Sequence, residues 1–523
     1  MKKILSILLA AAMTLSITAC KNEQGAKEPM VDPVDDNYRT MYQIFVGSFS
    51  DANNDGIGDL RGIINRLDYL NDGDINSGQD LGVQGLWLSP IFKSPSYHKY
   101  DASDYYTIDW RFGTEEDLKE LLDKCHQRNM IVILDLAINH TSRNHEWFQS
   151  FRQARIDGDT SDPYYDFYSC VTGAEKKGGI TYQKLAPGID CWYECNFSGD
   201  MPELNFDNPA VRQAVLDVAK YYLDLGVDGF RFDAVKYIYY GETSRNVDFW
   251  TWYMNELVQV KPDIYCVGEC WSGESEILEY YPALNCFNFA MATAEGTVAS
   301  AAKGFSISQY TRYMESLQKN ILAKNEDGMV MGFLSNHDMD RIAGAFVTEN
   351  QMRMAANLYL LAPGSPVIYY GEELGLRGSR GGENTDANRR LAMRWGDGDL
   401  VHDPQGATYP DSKQISTTAA DQLADENSLL RYYQELIALR HKYPAIARGI
   451  YTSIDCGEKN FGGFQVTCEG ESLGIFHNNG SEEISYDIGG YGFTELADFI
   501  GVSGASLKGT ILTLGPQTSA IVK

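Results

Sequence analysis

The chain of 523 residues carries 44 Lys+Arg against 72 Asp+Glu, a formal net charge of −28. Nucleic-acid binding, which leaves a basic stripe in a sequence, is therefore excluded, and an anionic lipid surface is disfavoured. With 44% apolar and 22% charged residues the chain is neither disordered nor fibrous, and its length suits roughly two to four domains.

Residues 1–20 pair Lys2 and Lys3 with an apolar stretch too short to span a bilayer comfortably and then small residues, the pattern of a secretory signal. Ile17-Thr18-Ala19-Cys20 resembles the bacterial lipobox, which implies cleavage before Cys20, its diacylation, and an extracytoplasmic chain anchored to a bacterial membrane as a cell-surface lipoprotein. Residues 21–37 are polar, with two prolines and no periodicity, and read as a flexible tether.

Eight short β-rich runs then begin at Tyr42, Val83, Ile131, Val227, Ile264, Cys286, Met329 and Pro366, with helical patterns between most of them, such as 115–128 and 209–226. Alternation of this kind predicts an α/β fold, a (β/α)8 TIM barrel whose site lies where the C-terminal strand ends meet the following loops. The barrel is expected over 38–140 and 206–445. The long gap after the third strand marks an insertion, read as a small irregular domain over 141–205 without a long helical period. After the amphipathic helix 428–443, residues 446–523 read as a C-terminal antiparallel β-sandwich. Nine cysteines follow Cys20. Cys191 with Cys195, and Cys456 with Cys468, are candidate short-loop disulfides, whereas Cys125, Cys266, Cys270 and Cys286 read as buried thiols. No cysteine or histidine spacing suggests zinc.

The strand ends carry Asp135 with Asn139 and His140, Arg231 with Asp233, Glu269, and His337 with Asp338. Acids on different strand ends can converge, and two carboxylates about 5–5.5 Å apart are what retaining glycoside hydrolysis requires. In order and spacing, DLAINH (135–140), GFRFDAVK (229–236), VGECW (267–271) and FLSNHD (333–338) resemble the four signature regions of the α-amylase family of glycoside hydrolases, and MPELN (201–205) resembles its fifth. The resemblance runs from about Tyr38 to the end of the chain.

It implies that Asp233 is the nucleophile, held ionised by Arg231, that Glu269 is the acid/base with a pKa raised by apolar neighbours such as Trp271, and that Asp338 grips sugar hydroxyls with His140 and His337 as neutral helpers. In SPSYHKYDASDYY (94–106), Tyr100 is expected to stack on the sugar, with His98 and Asp101 bonding its hydroxyls. Lys236 matches a position on the leaving-group side. Asp51, Asn53, Asp55, the Ile57 carbonyl and Asp59 alternate as in a calcium-wrapping loop, and the loop resembles the Ca²⁺ site of several relatives. The family's other calcium site uses Asn139 and a histidine where this chain has Tyr237.

The resemblance points to α-1,4 hydrolysis of starch and maltooligosaccharides by a monomer. MPELN falls between the forms found in amylases, oligo-1,6-glucosidases and neopullulanases, so α-glucosidase, neopullulanase and transglycosylase activities stay open. A non-catalytic glucan-binding lipoprotein is disfavoured because Asp233, Glu269 and Asp338 are all present.

Overall fold

The computed structural model describes residues 36–381 and 386–523, so Cys20, the signal and nearly all of the tether lie outside the described residues. Parallel strands β1 (Met41–Ile44), β2 (Gly85–Leu88), β3 (Ile131–Leu136), β4 (Gly229–Phe232), β5 (Tyr265–Gly268), β6 (Asn285–Cys286) and β7 (Val367–Tyr369) form one sheet in the order β6-β5-β4-β3-β2-β1-β7. Single parallel bridges Phe287 to Met331 and Phe333 to Val367 close the ring. The run at 329–334 therefore occupies the seventh barrel position, but as two bridges instead of a continuous strand.

Inside the ring, Met41, Trp87, Ile133, Val267, Phe287, Met331, Phe333 and Val367 pack as one apolar cluster. The matching inward place on β4 falls to Arg231, whose register partners are Asp135 and Val267. Gly229, one inward step earlier, lets the strands approach, because a Cβ there would lie 1.8 Å from the Tyr265 carbonyl oxygen. Outside, helices α1 (Glu115–His126) and α2 (Pro209–Asp224) present apolar stripes to the sheet. Thr114 and Asp117 start α1 with a reciprocal capping box, and Asn208 followed by Pro209 starts α2.

The insertion departs from expectation. It begins with a helix, Glu146–Asp157, which buries Trp147, Phe148, Phe151 and Ala154 and ends at Gly158 in the left-handed region. A three-stranded antiparallel sheet follows, of Cys170–Val171, Trp192–Glu194 and Tyr182–Lys184. Residues 201–205 return to the barrel, where Leu204 N–H donates to the Asn139 carbonyl and Thr141 N–H to that of Pro202. The C-terminal domain is a five-stranded sheet facing a three-stranded one over Phe461, Phe476, Leu512 and Leu514.

Neither expected disulfide forms, and all nine described cysteines are free. Cys191 and Cys195 bracket the extended strand Trp192–Glu194, which holds residues four apart about 13 Å from each other, beyond disulfide reach. Cys456 lies near the start of the strand Phe461–Cys468, while Cys468 ends it.

One buried cation ties the barrel to its last helix. Arg440, on α4 (Leu429–Lys442), donates to the carbonyls of Leu360, Ala362 and Gly364 at 2.6, 2.7 and 2.5 Å, satisfying the C-terminal end of α3 (Glu349–Leu360). Burial lowers its pKa to about 10, so it stays charged at neutral pH and complements the helix dipole. Replacing Arg440 with Met is expected to destabilise the chain by about 2–4 kcal/mol, read as a lower denaturant midpoint, because it strands buried carbonyls. An unchanged midpoint would contradict this role.

Candidate active site

Arg231 is fully buried at the C-terminal end of β4 and touches three carboxylates. Its Nη1 donates to Asp135 Oδ1 at 2.7 Å and to Asp233 Oδ1 at 2.8 Å, and its Nη2 lies 2.7 Å from Glu269 Oε1. The last contact is misaligned for a hydrogen bond and leaves Nη2 and Oε1 without bonded partners. Burial disfavours its charge, but the surrounding acids, Asp135 foremost, outweigh it and keep the guanidinium pKa well above its ordinary value. Asp135 is completed by Trp87 Nε1 and the Tyr100 hydroxyl, which makes it the anchor for Arg231.

Glu269 differs from its neighbours. Burial, reinforced by Asp233, Asp338 and Asp135 and opposed by Arg231, pushes its pKa up to about 8, so it carries a proton at neutral pH. The Trp271 ring is half-exposed and stacked on Phe289 at 5.1 Å, so the pKa rise follows from burial and the surrounding carboxylates. Asp338 goes the other way. Its burial is outweighed by His337 and Arg390, which hold the carboxyl well below the usual range through contacts of 2.9 and 2.6 Å. A proton-bearing acid and an ionised acid thus share one cleft, the separation of environments that acid/base chemistry needs.

The cleft, about 610 Å³, is lined by Asp233, Glu269, Asp338, His98, Tyr100 and His140, among others. Tyr100 stacks parallel to His337 at 5.4 Å, and its hydroxyl lies 2.5 Å from His337 Nε2. Gln43 Nε2 donates to His337 Nδ1, which leaves the ring proton on Nε2, facing Asp338. His140 does not reach Asp338. Its Nε2 faces the Tyr100 carbonyl at 3.1 Å, and its buried Nδ1 has no partner. Burial lowers the pKa of both His140 and His98, the latter to about 4, so both rings are neutral. Asp101 does not line the cleft. It accepts from the Ser94 and Ser96 hydroxyls and shapes the loop that carries His98 and Tyr100. Lys236 Nζ donates to the Trp271 carbonyl at 2.7 Å, joining the loops after β4 and β5.

Sequence reasoning missed Arg390, whose guanidinium donates to the His337 carbonyl, the Tyr97 hydroxyl and Asp338, and so joins the loop after β2 to the loop after the run 329–334. It sits in a long segment beyond the last strand, where strand-end spacing gives no signal. Phe197, from the inserted domain, also lines the cleft and was missed for the same reason.

Loop 51–59 winds through successive Asx turns. Asp51 accepts from the N–H groups of Asn53, Asn54 and Gly56, Asn53 from that of Asp55, Asp55 from that of Ile57, and Asp59 caps the next helix through Gly62. Among the described residues no three His, Cys, Asp or Glu side chains are gathered as a metal centre. The donors of the loop are nevertheless all hard oxygens, the kind calcium takes, and Asp51 and Asp59 retain lone pairs beyond these bonds. At the foot of the insertion, Asn139 Nδ2 donates to Glu203 at 3.3 Å, and its buried Oδ1 has no partner.

Residues 43–449 match the family model described as alpha amylase, catalytic domain. The chain is 34% identical to Alpha-amylase 3 of Dictyoglomus thermophilum over 92% of each chain. It is 31% identical to an oligo-1,6-glucosidase of Parageobacillus thermoglucosidasius, over 79% of this chain and 85% of that one. Among solved structures, Eubacterium rectale Amy13B superposes with a TM-score of 0.87 at 35% identity, covering 95% of this chain and 96% of the other. Fold, strand-end carboxylates and these similarities agree: the chain belongs to the α-amylase family of glycoside hydrolases.

Proposed function

We propose that the chain is a retaining hydrolase of α-1,4-glucosidic bonds in starch and maltooligosaccharides, with Asp233 as nucleophile, Glu269 as acid and base, and Asp338 as the grip on sugar hydroxyls. The observation that carries this reading is that one buried guanidinium contacts both Asp233 and Glu269 while Glu269 keeps its proton. In the first step an Asp233 oxygen bonds to the anomeric carbon, the glycosidic C–O bond breaks, and the leaving oxygen takes the Glu269 proton. In the second, Glu269 takes a proton from water, the water oxygen bonds to the same carbon, and Asp233 leaves, so configuration is retained. The resemblance to a named α-amylase at 34% identity favours α-1,4 linkages. The signal-like start and Cys20 support export and lipid anchoring, where extracellular polymer is met.

Calcium belongs to the same proposal, held by Asp51, Asn53, Asp55, the Ile57 carbonyl and Asp59. When bound it would neutralise carboxylates that otherwise repel one another and lock the loop after β1; it takes no part in the bond-breaking steps.

Product chromatography on residues 21–523 with amylose is expected to give a ladder of maltooligosaccharides that Asp233→Asn reduces by about 10⁴-fold or more. Glucose as sole product would indicate an α-glucosidase instead, and panose from pullulan a neopullulanase. Because Glu269 must be protonated for the first step, kcat/KM is expected to fall about tenfold per pH unit above a pKa near 8. A profile flat to pH 10 would contradict the assignment of Glu269. Calcium chelation is expected to lower the thermal midpoint of the parent but not of an Asp51→Asn, Asp55→Asn variant; equal responses would remove calcium from this loop.

A further inference from the structure

The inserted domain brings together two thiols that lie far apart in sequence. In its antiparallel sheet the strand Cys170–Val171 pairs with Trp192–Glu194, and Cys170 stands opposite Tyr193. Side chains on one face of a strand recur every second residue, so Cys191 shares the face of Tyr193 and is the diagonal neighbour of Cys170. Backbone contacts hold the two strands on either side of the pair: Glu194 N–H donates to the Ser169 carbonyl, and Gly173 N–H donates to Asp190 at 2.8 Å. The Cys170 and Cys191 thiols meet between these contacts in a side-chain hydrogen bond.

Their surroundings set the pair apart from the other cysteines. Of the nine described cysteines only Cys170 and Cys468 are partly exposed. Cys270 and Cys286 also influence one another, but both are fully buried in the core, out of reach of a disulfide reagent. The hydrogen bond with Cys191, and after it the Arg155 guanidinium, hold the Cys170 thiol below its ordinary pKa against its partial burial. The same hydrogen bond, with burial, pushes the Cys191 thiol up. Arg155 is itself fixed: it is ion-paired to Asp166, its Nε donates to the Tyr165 carbonyl at 2.8 Å, and it lies over the Tyr165 ring at 4.0 Å. A partly exposed thiol beside a cation and a buried thiol next to it correspond to the attacking and resolving halves of a reactive dithiol.

The position of the pair matters for the domain. Between the two cysteines, residues 172–190 carry exposed Glu175, Lys176, Lys177 and Lys184. Beyond Cys191, the strand Trp192–Glu194 runs on to Phe197 on the cleft wall, and the Tyr193 hydroxyl donates to the Gly199 carbonyl at 2.7 Å. A bond between Cys170 and Cys191 would therefore tie both ends of the exposed loop to the strand that leads into the cleft.

We propose that Cys170 and Cys191 form a redox-modification site, oxidised to an intramolecular disulfide by exchange with a low-molecular-weight disulfide, and that this bond closes residues 170–191 into a loop and stiffens the inserted domain. The proposal is independent of the reaction proposed for the cleft. In the first exchange the Cys170 thiolate bonds to one sulfur of the reagent, the reagent's S–S bond breaks, and its other sulfur leaves with the proton Cys170 gave up. In the second, Cys191 loses its proton, its sulfur bonds to that of Cys170, and the remaining half of the reagent leaves as a thiol. Two cysteine thiols are thus oxidised while one disulfide is reduced to two thiols, and protons and electrons balance.

The test uses residues 21–523, reduced and freed of reductant, incubated with mixtures of oxidised and reduced glutathione, quenched in acid, alkylated and digested with chymotrypsin, which cuts between Cys191 and Cys195. A cross-linked peptide pair joining Cys170 to Cys191 is expected, with the other seven thiols still alkylated. Cys195→Ser should keep the cross-link, whereas Cys191→Ser should stop at a glutathione adduct on Cys170. Absence of a cross-link at every glutathione ratio, or a cross-link that engages Cys195, would overturn the proposal. Tryptic cleavage of the native chain at Lys176, Lys177 and Lys184 is expected to slow about threefold or more on oxidation and to recover with dithiothreitol. A cleavage rate that oxidation leaves unchanged or raises would overturn the stiffening.

Discussion

The contact on which this site depends is the buried pairing of Arg231 with Asp135, Asp233 and Glu269. A lone guanidinium in a barrel interior is untenable, and removing one partner from such a buried set typically costs about 3–5 kcal/mol because a charge is left uncompensated. The parallel register of β3, β4 and β5 meets the need. Asp135 and Arg231 are direct register partners, and Asp233 and Glu269 lie just beyond the ends of β4 and β5. Where most other inward positions supply apolar side chains, β4 supplies a cation, and two of the three acids that touch it, Asp233 and Glu269, are the ones the proposed chemistry uses.

Two unlike sets of groups line the cleft around that centre. Around Asp338 the groups are buried or half-buried, hydrogen-bonded to one another and tied by Arg390 across two loops. On the side of Lys236 the walls are half-exposed rings, which tolerate variation in what lies against them.

Much of this was legible in the sequence because barrel strands are short, apolar and recurrent, and because the acids sit at their ends. The run at 329–334 was found as a strand although only Met331 and Phe333 bridge to neighbours. The helix 146–157 in the insertion was missed, although Trp147, Phe148, Phe151 and Ala154 already carry a helical spacing; the surrounding Gly, Asp and aromatic residues masked it. The paired cysteines misled because sequence proximity was read as spatial proximity, whereas an extended strand holds Cys191 and Cys195 apart. Arg390 and Phe197 reach the cleft from long connections, where position is decided by tertiary packing and no local period reports it.

The account stands most directly on whether Asp233 becomes covalently bonded to sugar while Glu269 supplies the proton chemistry. Intact and peptide mass spectrometry of the Glu269→Gln variant incubated with α-maltosyl fluoride would decide it, because fluoride departs without an acid but the ester then lacks its base. A maltosyl adduct on the peptide containing Asp233 is the predicted result. No adduct, or one on a peptide carrying Asp135 or Asp338 instead, would contradict it.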